Sequence, residues 1–319
     1  MMRQVTIGMR QAVLALLTLG WAATTQGQMT VYSDEEDYTY ESREGVEFGL
    51  NIGVYRGYPL AANFYDGSGL NELGSSNVNA QVWSIEDRLR QLQYQQQNHP
   101  VSGILNDWPN WQFEDLPLMM QYRPAMFFGL KTAKFWNPET ALVLHVDAIQ
   151  MTAEGAWTLS TGLLPDQGQG NLDIRTYPIL GKEQRLNVAL GYRTSVYLAE
   201  GASWGLELGG MANAVSIEEN YVVLTPAVGN SYYEVDLLTS VGSVQLTAAN
   251  NLLTQWGMGF YGSAGIDLDF EEGGHIELNA RVSRDNLVLG LHETRGWNIA
   301  VFLTWMMPSE FGNFARASF

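Results

Sequence analysis

The chain contains no cysteine, which excludes a disulfide framework, a thiolate metal site and a cysteine nucleophile. Basic residues are scarce: 17 Lys and Arg stand against 34 Asp and Glu, a formal net charge of −17. A nucleic-acid surface must be basic to neutralise phosphates, so nucleic acid is excluded as a partner. Past residue 30 there is no run of 18 or more apolar residues. A chain of this kind crosses a membrane only as strands, because helices and closed barrels alone satisfy every backbone group in hydrocarbon. G-x-S-x-G, H-E-x-x-H and P-loop patterns are also missing, and each is the signature of a specific catalytic geometry. No enzyme activity, metal or other cofactor is expected from these gaps.

What is present begins with an address. Arg3 and Arg10 precede an apolar stretch from Ala12 to Ala23, and Thr25-Gln26-Gly27 offers small residues for cleavage before Gln28. This order is that of a secretory leader over residues 1–27. The apolar stretch is short of the roughly 20 residues a spanning helix needs. Without the two leader arginines the remainder carries −19. Residues 28–45 are acidic and lack apolar periodicity, which predicts a flexible tail.

From Val46 the pattern has period two, the mark of strands with one apolar and one polar face. Phe48, Leu50, Ile52 and Val54 oppose Glu47, Asn51 and Tyr55; Leu142, Leu144 and Val146 oppose His145 and Asp147. Leu186, Val188 and Leu190 oppose Arg185 and, further along, Arg193; Trp204, Leu206 and Leu208 oppose Glu207. Trp256, Met258, Phe260, Ile266 and Leu268 oppose Asp267 and Asp269, and Ile276, Leu278 and Ala280 oppose Glu277 and Arg281. In the last strand Trp297 and Trp305 share a face with Ile299, Val301 and Leu303. Eight residues of rise separate these indoles, about 26 Å, the spacing of two interfacial girdles around a membrane band.

The expected fold is therefore all-β: an antiparallel transmembrane β-barrel over 46–319, with Trp204, Trp256, Trp297 and Trp305 in its aromatic girdle. Its lumen is expected to hold Glu47, His145, Asp147, Arg185, Arg193, Glu207, Asp267, Asp269, Glu277 and Arg281 as a paired polar filling. Strands are placed at 46–56, 122–135, 140–151, 171–180, 184–198, 203–213, 215–225, 254–270, 274–285 and 296–306. That makes about ten, with eight or twelve as alternatives, and an even number puts both termini on the periplasmic side. Tight turns are expected at Asn137-Pro138-Glu139, Gly181-Lys182-Glu183 and Glu272-Gly273-Gly274. Long loops are expected at 59–120, 153–170, 226–253 and 285–295. The first holds Ser84-Ile85-Glu86-Asp87 in capping-box order, predicting a short helix at 84–96. Trp108, Trp111 and Phe113 follow it as candidate anchors for a partner.

The order GLNIGVYRGYPLAANFYDGSG, WSIEDRL, MQYRPAMFFGLKTAKFWNP resembles small outer-membrane barrels of Bacteroidetes-type bacteria. It is also similar, loosely, to the PorP/SprF accessory barrels of type IX secretion. The terminal Phe319 resembles the aromatic end of barrel assembly substrates. The resemblance implies a non-enzymatic accessory component in outer-membrane lipid, engaging other outer-membrane or periplasmic proteins. Two other readings stand beside it. One is a small-solute or lipid transport barrel gated by 59–120. The other is a hydrolase at the rim with His145 and Asp147 as an acid–base pair.

Overall fold

The computed structural model describes residues 45–69, 83–96, 98–108, 110–163, 173–199, 201–225, 232–238, 254–270, 274–289 and 292–307. The leader, most of the acidic tail and the terminal Phe319 lie outside them.

The period-two segments, rich in aliphatic and aromatic residues, form strands. In chain order these are β1 (Gly45–Arg56), β2 (Gln112–Asp115), β3 (Gln121–Tyr122), β4 (Ala125–Asn137), β5 (Thr140–Ser160), β6 (Ile174–Ala199), β7 (Ala202–Leu224), β8 (Tyr233–Asp236), β9 (Thr254–Asp269), β10 (His275–Leu289) and β11 (His292–Met306). Two helices, α1 (Ile85–Gln95) and α2 (Pro100–Asn106), and a 3-10 turn at Pro59–Tyr65 lie between β1 and β2. Among the described residues no helix is long and apolar enough to cross a membrane.

All long strands pair antiparallel in the order β5-β4-β1-β11-β10-β9-β7-β6, and β6 returns to β5. The sheet is thus a closed barrel of eight long strands among the described residues, not ten. Short β2 and β3 pair with β5, and β8 pairs with β7 above their neighbours. The difference arises at two places. The segments placed at 171–180 and 184–198 are one 26-residue strand, and those at 203–213 and 215–225 are one of 23 residues. Gly181-Lys182-Glu183 is therefore not a turn. Its glycine serves packing, since a Cβ at Gly181 would lie 2.2 Å from the ring of Tyr65.

Asn137-Pro138-Glu139 joins β4 to β5 as expected, while Glu272 and Gly273 of the third expected turn lie outside the described residues. Asn137 Oδ1 accepts from Glu139 N at 3.0 Å and from Thr140 Oγ1 at 2.8 Å, holding the β4–β5 hairpin. Gly201 and Gly274 take positive φ at the two hairpins beside it, as glycine readily does. These hairpins lie at the end where β1 starts and β11 finishes, because Gly49 pairs with Met306. At the opposite end the 57–124 insertion is long, but 285–289 and 292–295, expected as loop, are strand, with β10 and β11 paired in register from Asp285 to Leu289. Residues 153–160 likewise belong to β5.

Side-chain direction divides the barrel into two storeys. Near the hairpin end, outward positions are apolar and exposed, such as Leu144, Leu190, Ile266, Leu278 and Val301, while inward ones are polar and buried. Beyond this, where only β5, β6 and β7 continue far, the sense reverses. Inward Met151, Ala153, Trp157, Tyr177, Ile179, Val222 and Leu224 form one buried core with Ile85, Leu89, Leu92 and Leu105 of the helices. Outward positions there are Gln150, Thr152, Glu154, Gln184 and Glu218. A register shift falls at the transition, where Glu218 is the extra residue between Ile217 and Glu219 opposite β6. Gln150 Nε2 and Gln184 Nε2 both donate to its carboxylate.

Candidate functional site

The lumen of the lower storey is the largest concentration of buried charge in the described residues, and it builds up in three tiers. At the hairpin end, Arg193 from β6 donates to Asp267 of β9 at 2.5 Å and lies 3.0 Å from Glu277 of β10. Glu277 also takes Lys131 of β4, and Asn279 donates to it at 3.0 Å. Ser203 completes Asp267 at 3.2 Å. His275 stands 3.3 Å from Glu277 and 3.9 Å from Glu47. Glu47 and Asp269 are half-buried at the strand ends.

In the middle tier, Asn51 Nδ2 donates to Asp147 at 2.9 Å and lies 3.1 Å from His145 Nδ1. Its own oxygen accepts from Thr304 at 2.8 Å. The other nitrogen of His145 is 2.9 Å from Glu207 of β7, whose carboxylate also accepts from the Tyr261 hydroxyl. Asp147 is paired with Arg281 at 2.7 Å. The Arg281 guanidinium lies over Phe302 and Tyr261, with its carbon 4.7 and 5.1 Å from their ring centres. His145 and Asp147, neighbours in the sequence pattern, thus serve different ionic partners. His145 is 1% exposed, with both ring nitrogens occupied, so no rim-sited acid–base pair exists at these residues.

The third tier lies beneath the upper core. Arg185 Nε donates to Glu183 at 2.5 Å, and the hydroxyls of Tyr65 and Tyr122 donate to the same carboxylate at 2.8 and 2.9 Å. Tyr65 and Tyr122 belong to the 57–124 insertion, so this carboxylate ties the insertion to the barrel wall. Asp285 accepts from Asn213 at 2.6 Å and from Asn298 at 2.5 Å. A small void between the tiers is bordered by Tyr55, Phe127, Asp147, Asn187, Arg281 and Ser283. It has room for about one water. Arg281 Nε and Nη2 and Asn187 Oδ1 are buried there without a protein partner.

Buried ions cost several kcal/mol each unless closely paired, and this network pairs acids and bases across six strands. Eight-stranded barrels have interiors just wide enough for side chains to fill. What the arrangement does chemically is close the lumen. Among the described residues no group of three or more His, Cys, Asp or Glu could hold a metal ion.

Of the ten residues read as lumen-facing, eight are buried in these tiers and Glu47 and Asp269 stand at their edge. Sequence reasoning missed Lys131, Glu183, Asp285 and the two insertion tyrosines, Tyr65 and Tyr122. Glu183 and Asp285 were hidden by assigning their segments to a turn and a loop. Lys131 alternates with exposed Leu130 and could have been found by extending the period-two count through β4. Trp256, Trp297 and Trp305 project outward and are exposed, and Trp204 is half-buried on the same face.

The expected partner anchors are placed differently. Trp108 and Trp111 are 2% and 6% exposed within the upper core, and Phe113 stacks on Trp157 at 6.0 Å. Trp111 Nε1 donates to Gln93 Oε1 at 3.0 Å, and Arg175 of β6 lies over Trp108. These rings are core because the insertion folds its apolar face down onto the barrel mouth. Trp108 and Trp111 are buried there, and Phe113 stays half-buried at the edge of the same core.

No family model and no curated protein sequence matches the chain. Among solved structures it is similar to the attachment invasion locus protein Ail of Yersinia pestis, at 7% identity and a TM-score of 0.31, over 83% of this chain and 99% of that one. It is also similar to the outer membrane protein OprG of Pseudomonas aeruginosa, at 10% identity and a TM-score of 0.34, over 83% of this chain and 97% of that one. A third is the outer membrane protease OmpT of Escherichia coli, at 10% identity and a TM-score of 0.26, over 85% and 99% of the two chains. Nothing of these proteins' activities is carried over to this chain.

Proposed function

We propose that this protein is an exported, non-enzymatic outer-membrane barrel whose work is done on its outer surface, as a structural or accessory component engaging other envelope proteins. The observation that carries this reading is the double closure of the lumen. Three tiers of paired side chains fill it, and the apolar core beneath α1 and α2 covers them. Interiors of about eight strands are just wide enough for side chains to fill, and this filling is what the reading rests on. The apolar outward band from Trp305 to Trp297 supports its seat in a bilayer. The leader at 1–27 supports export, and the sequence resemblance supports an accessory setting like that of the PorP/SprF barrels.

Two measurements test the reading together. Purified full-length protein in a planar bilayer is expected to give no stepwise conductance, and a mild-detergent pull-down from its own membrane is expected to recover stoichiometric companions. Stable conductance from the intact protein would overturn the reading in favour of the small-solute barrel gated by 59–120. A silent barrel recovered without companions would remove the accessory role.

A further inference from the structure

Three strands in succession around the barrel, β1, β11 and β10, end their outward apolar runs in arginine. On β1 the exposed series Phe48, Leu50, Ile52, Val54 is followed by Arg56; on β10, Leu278, Ala280 and Val282 by Arg284; on β11, Val301, Ile299 and Trp297 by Arg295. All three arginines are exposed, and they lie at the end of the band away from the start of β1 and the finish of β11. Register places them together. Arg56 and Val282 both pair with Ile299, and Arg284 pairs with Trp297, two residues from Arg295. With strands about 4.8 Å apart and diagonal neighbours about 7–8 Å apart, the three backbones fall within about 15 Å. The Arg284 guanidinium carbon is 5.6 Å from the Trp297 ring, which meets Phe260 edge-on at 5.9 Å.

The charges here are unspent. Arg56 and Arg284 have no ion pair among the described residues, and Arg295 has a long contact of 3.6 Å to Glu293, with both side chains more than half exposed. Among the described residues Glu293, which also accepts from Asn286, is the acid that contacts the cluster. On the opposite flank the equivalent level is different. There Arg123 is paired with Glu154 and Lys182 with Glu219, among outward Gln150, Thr152 and Glu218. That flank also rises into the upper storey, whereas β10, β11 and β1 end near the rim. In a chain of net charge −17, three exposed arginines, two of them without an ion pair among the described residues, gather on the one low flank at headgroup height.

We propose that the β1–β11–β10 flank binds a diphosphorylated glycolipid headgroup in the leaflet at the loop end of the barrel. Arginine forks match phosphate oxygens bidentately. A phosphate monoester carries roughly −1.5 to −2 near neutral pH, so two of them match three arginines where a single phosphodiester does not. Trp297 and Phe260 supply the flat interfacial surface on which the sugar and first acyl carbons rest. The inference uses the membrane seat of the barrel but not its closed lumen or its protein partners.

The test is native mass spectrometry of the delipidated full-length protein in non-ionic detergent. It is titrated separately with a diphosphorylated glycolipid, its dephosphorylated counterpart and phosphatidylglycerol. Each variant is first checked for the heat-dependent gel shift of a folded barrel; its absence from the wild type would count against the membrane-barrel reading, not against this site. The expected result is a preference of about tenfold or more for the diphosphorylated lipid. Affinity for that lipid should fall about twenty-fivefold in Arg56→Gln/Arg284→Gln, at about fivefold for each arginine removed, and the preference should be lost. Lys134→Gln, exposed near the hairpin end, should leave it unchanged. Equal binding by the double variant, or equal binding of the dephosphorylated lipid or phosphatidylglycerol, would overturn the proposal. Should the double variant fail to fold, Arg284→Gln alone decides it in the same way.

Discussion

The two storeys of this barrel are built from the same strands and obey opposite rules. On β5 the inward series runs His145, Asp147, then Ile149, Met151, Ala153, while the outward series runs Leu144, Val146, Ala148, then Gln150, Thr152, Glu154. The phase of the apolar alternation flips within three residues and the backbone continues. In the lower storey hydrocarbon lies outside, so polar groups turn inward and must satisfy one another. In the upper storey water lies outside, so the apolar side chains turn inward and need a cover, which the 57–124 insertion provides. The same alternation thus yields a paired-ion lumen in one place and an ordinary hydrophobic core in the other. What sets the pattern is the solvent around the strand and not the strand itself.

The sharpest test of that division lies at the junction, where Glu183 joins the wall of one storey to the insertion of the other. Glu183→Leu should destabilise the folded barrel by about 3–5 kcal/mol, because it leaves Arg185 buried without a counter-charge. It also removes the acceptor of Tyr65 and Tyr122. Urea unfolding in detergent micelles would read this, and a change under about 1 kcal/mol would mean the storeys are not coupled there. Trp108→Ala should cost about 3–5 kcal/mol by the usual scale of buried aromatic deletions, but locally. Protease is expected to enter 57–124 while the barrel keeps its heat-dependent gel shift. Collapse of both together would show that the lower storey cannot stand without its cover.

A milder pair of substitutions tests the inversion itself. Val301→Arg, at the centre of the outward band, should cost about 2–4 kcal/mol for a charge facing mid-bilayer. Thr176→Arg, exposed on the upper storey, should stay within about 0.5 kcal/mol. Equal costs at the two outward positions would erase the distinction between hydrocarbon and water outside.

Much of this was legible in the residues. Period-two alternation marked seven of the eight long strands, β4 being placed without it, and the two tryptophans of β11 found the height of the band. The strand number failed because Gly181-Lys182-Glu183 has turn composition, yet its glycine is required by the ring of Tyr65, which is remote in the chain but adjacent in space. Long-range packing of this sort has no local signature. The phase flip after Ala148 was present in the string Leu-His-Val-Asp-Ala-Ile-Gln-Met-Thr and marks where a strand leaves the bilayer. The tryptophans of 108 and 111 misled for a related reason. Aromatic residues in a loop suggest a docking surface only if the loop has no apolar mouth beneath it, and that mouth appears only when β5, β6 and β7 are seen to rise beyond their neighbours.

The smallest effect concerns how the cover is started. Ser84 Oγ accepts from Asp87 N at 3.1 Å at the beginning of α1, and the following Ile85 N donates to Gly67 O at 2.9 Å. Gly67 itself has φ +78, and a Cβ there would lie 2.5 Å from Ile85. The helix is therefore anchored by a side-chain cap and by a backbone contact that only glycine permits. Ser84→Ala should remove about 1 kcal/mol, all of it from the upper storey. It should appear as faster amide exchange in α1, with exchange in β10 and β11 unchanged. If exchange quickened in both, the cover would be part of a single cooperative unit with the barrel. If it quickened in α1 alone, the two storeys differ in stability as well as in polarity, and the upper one opens first.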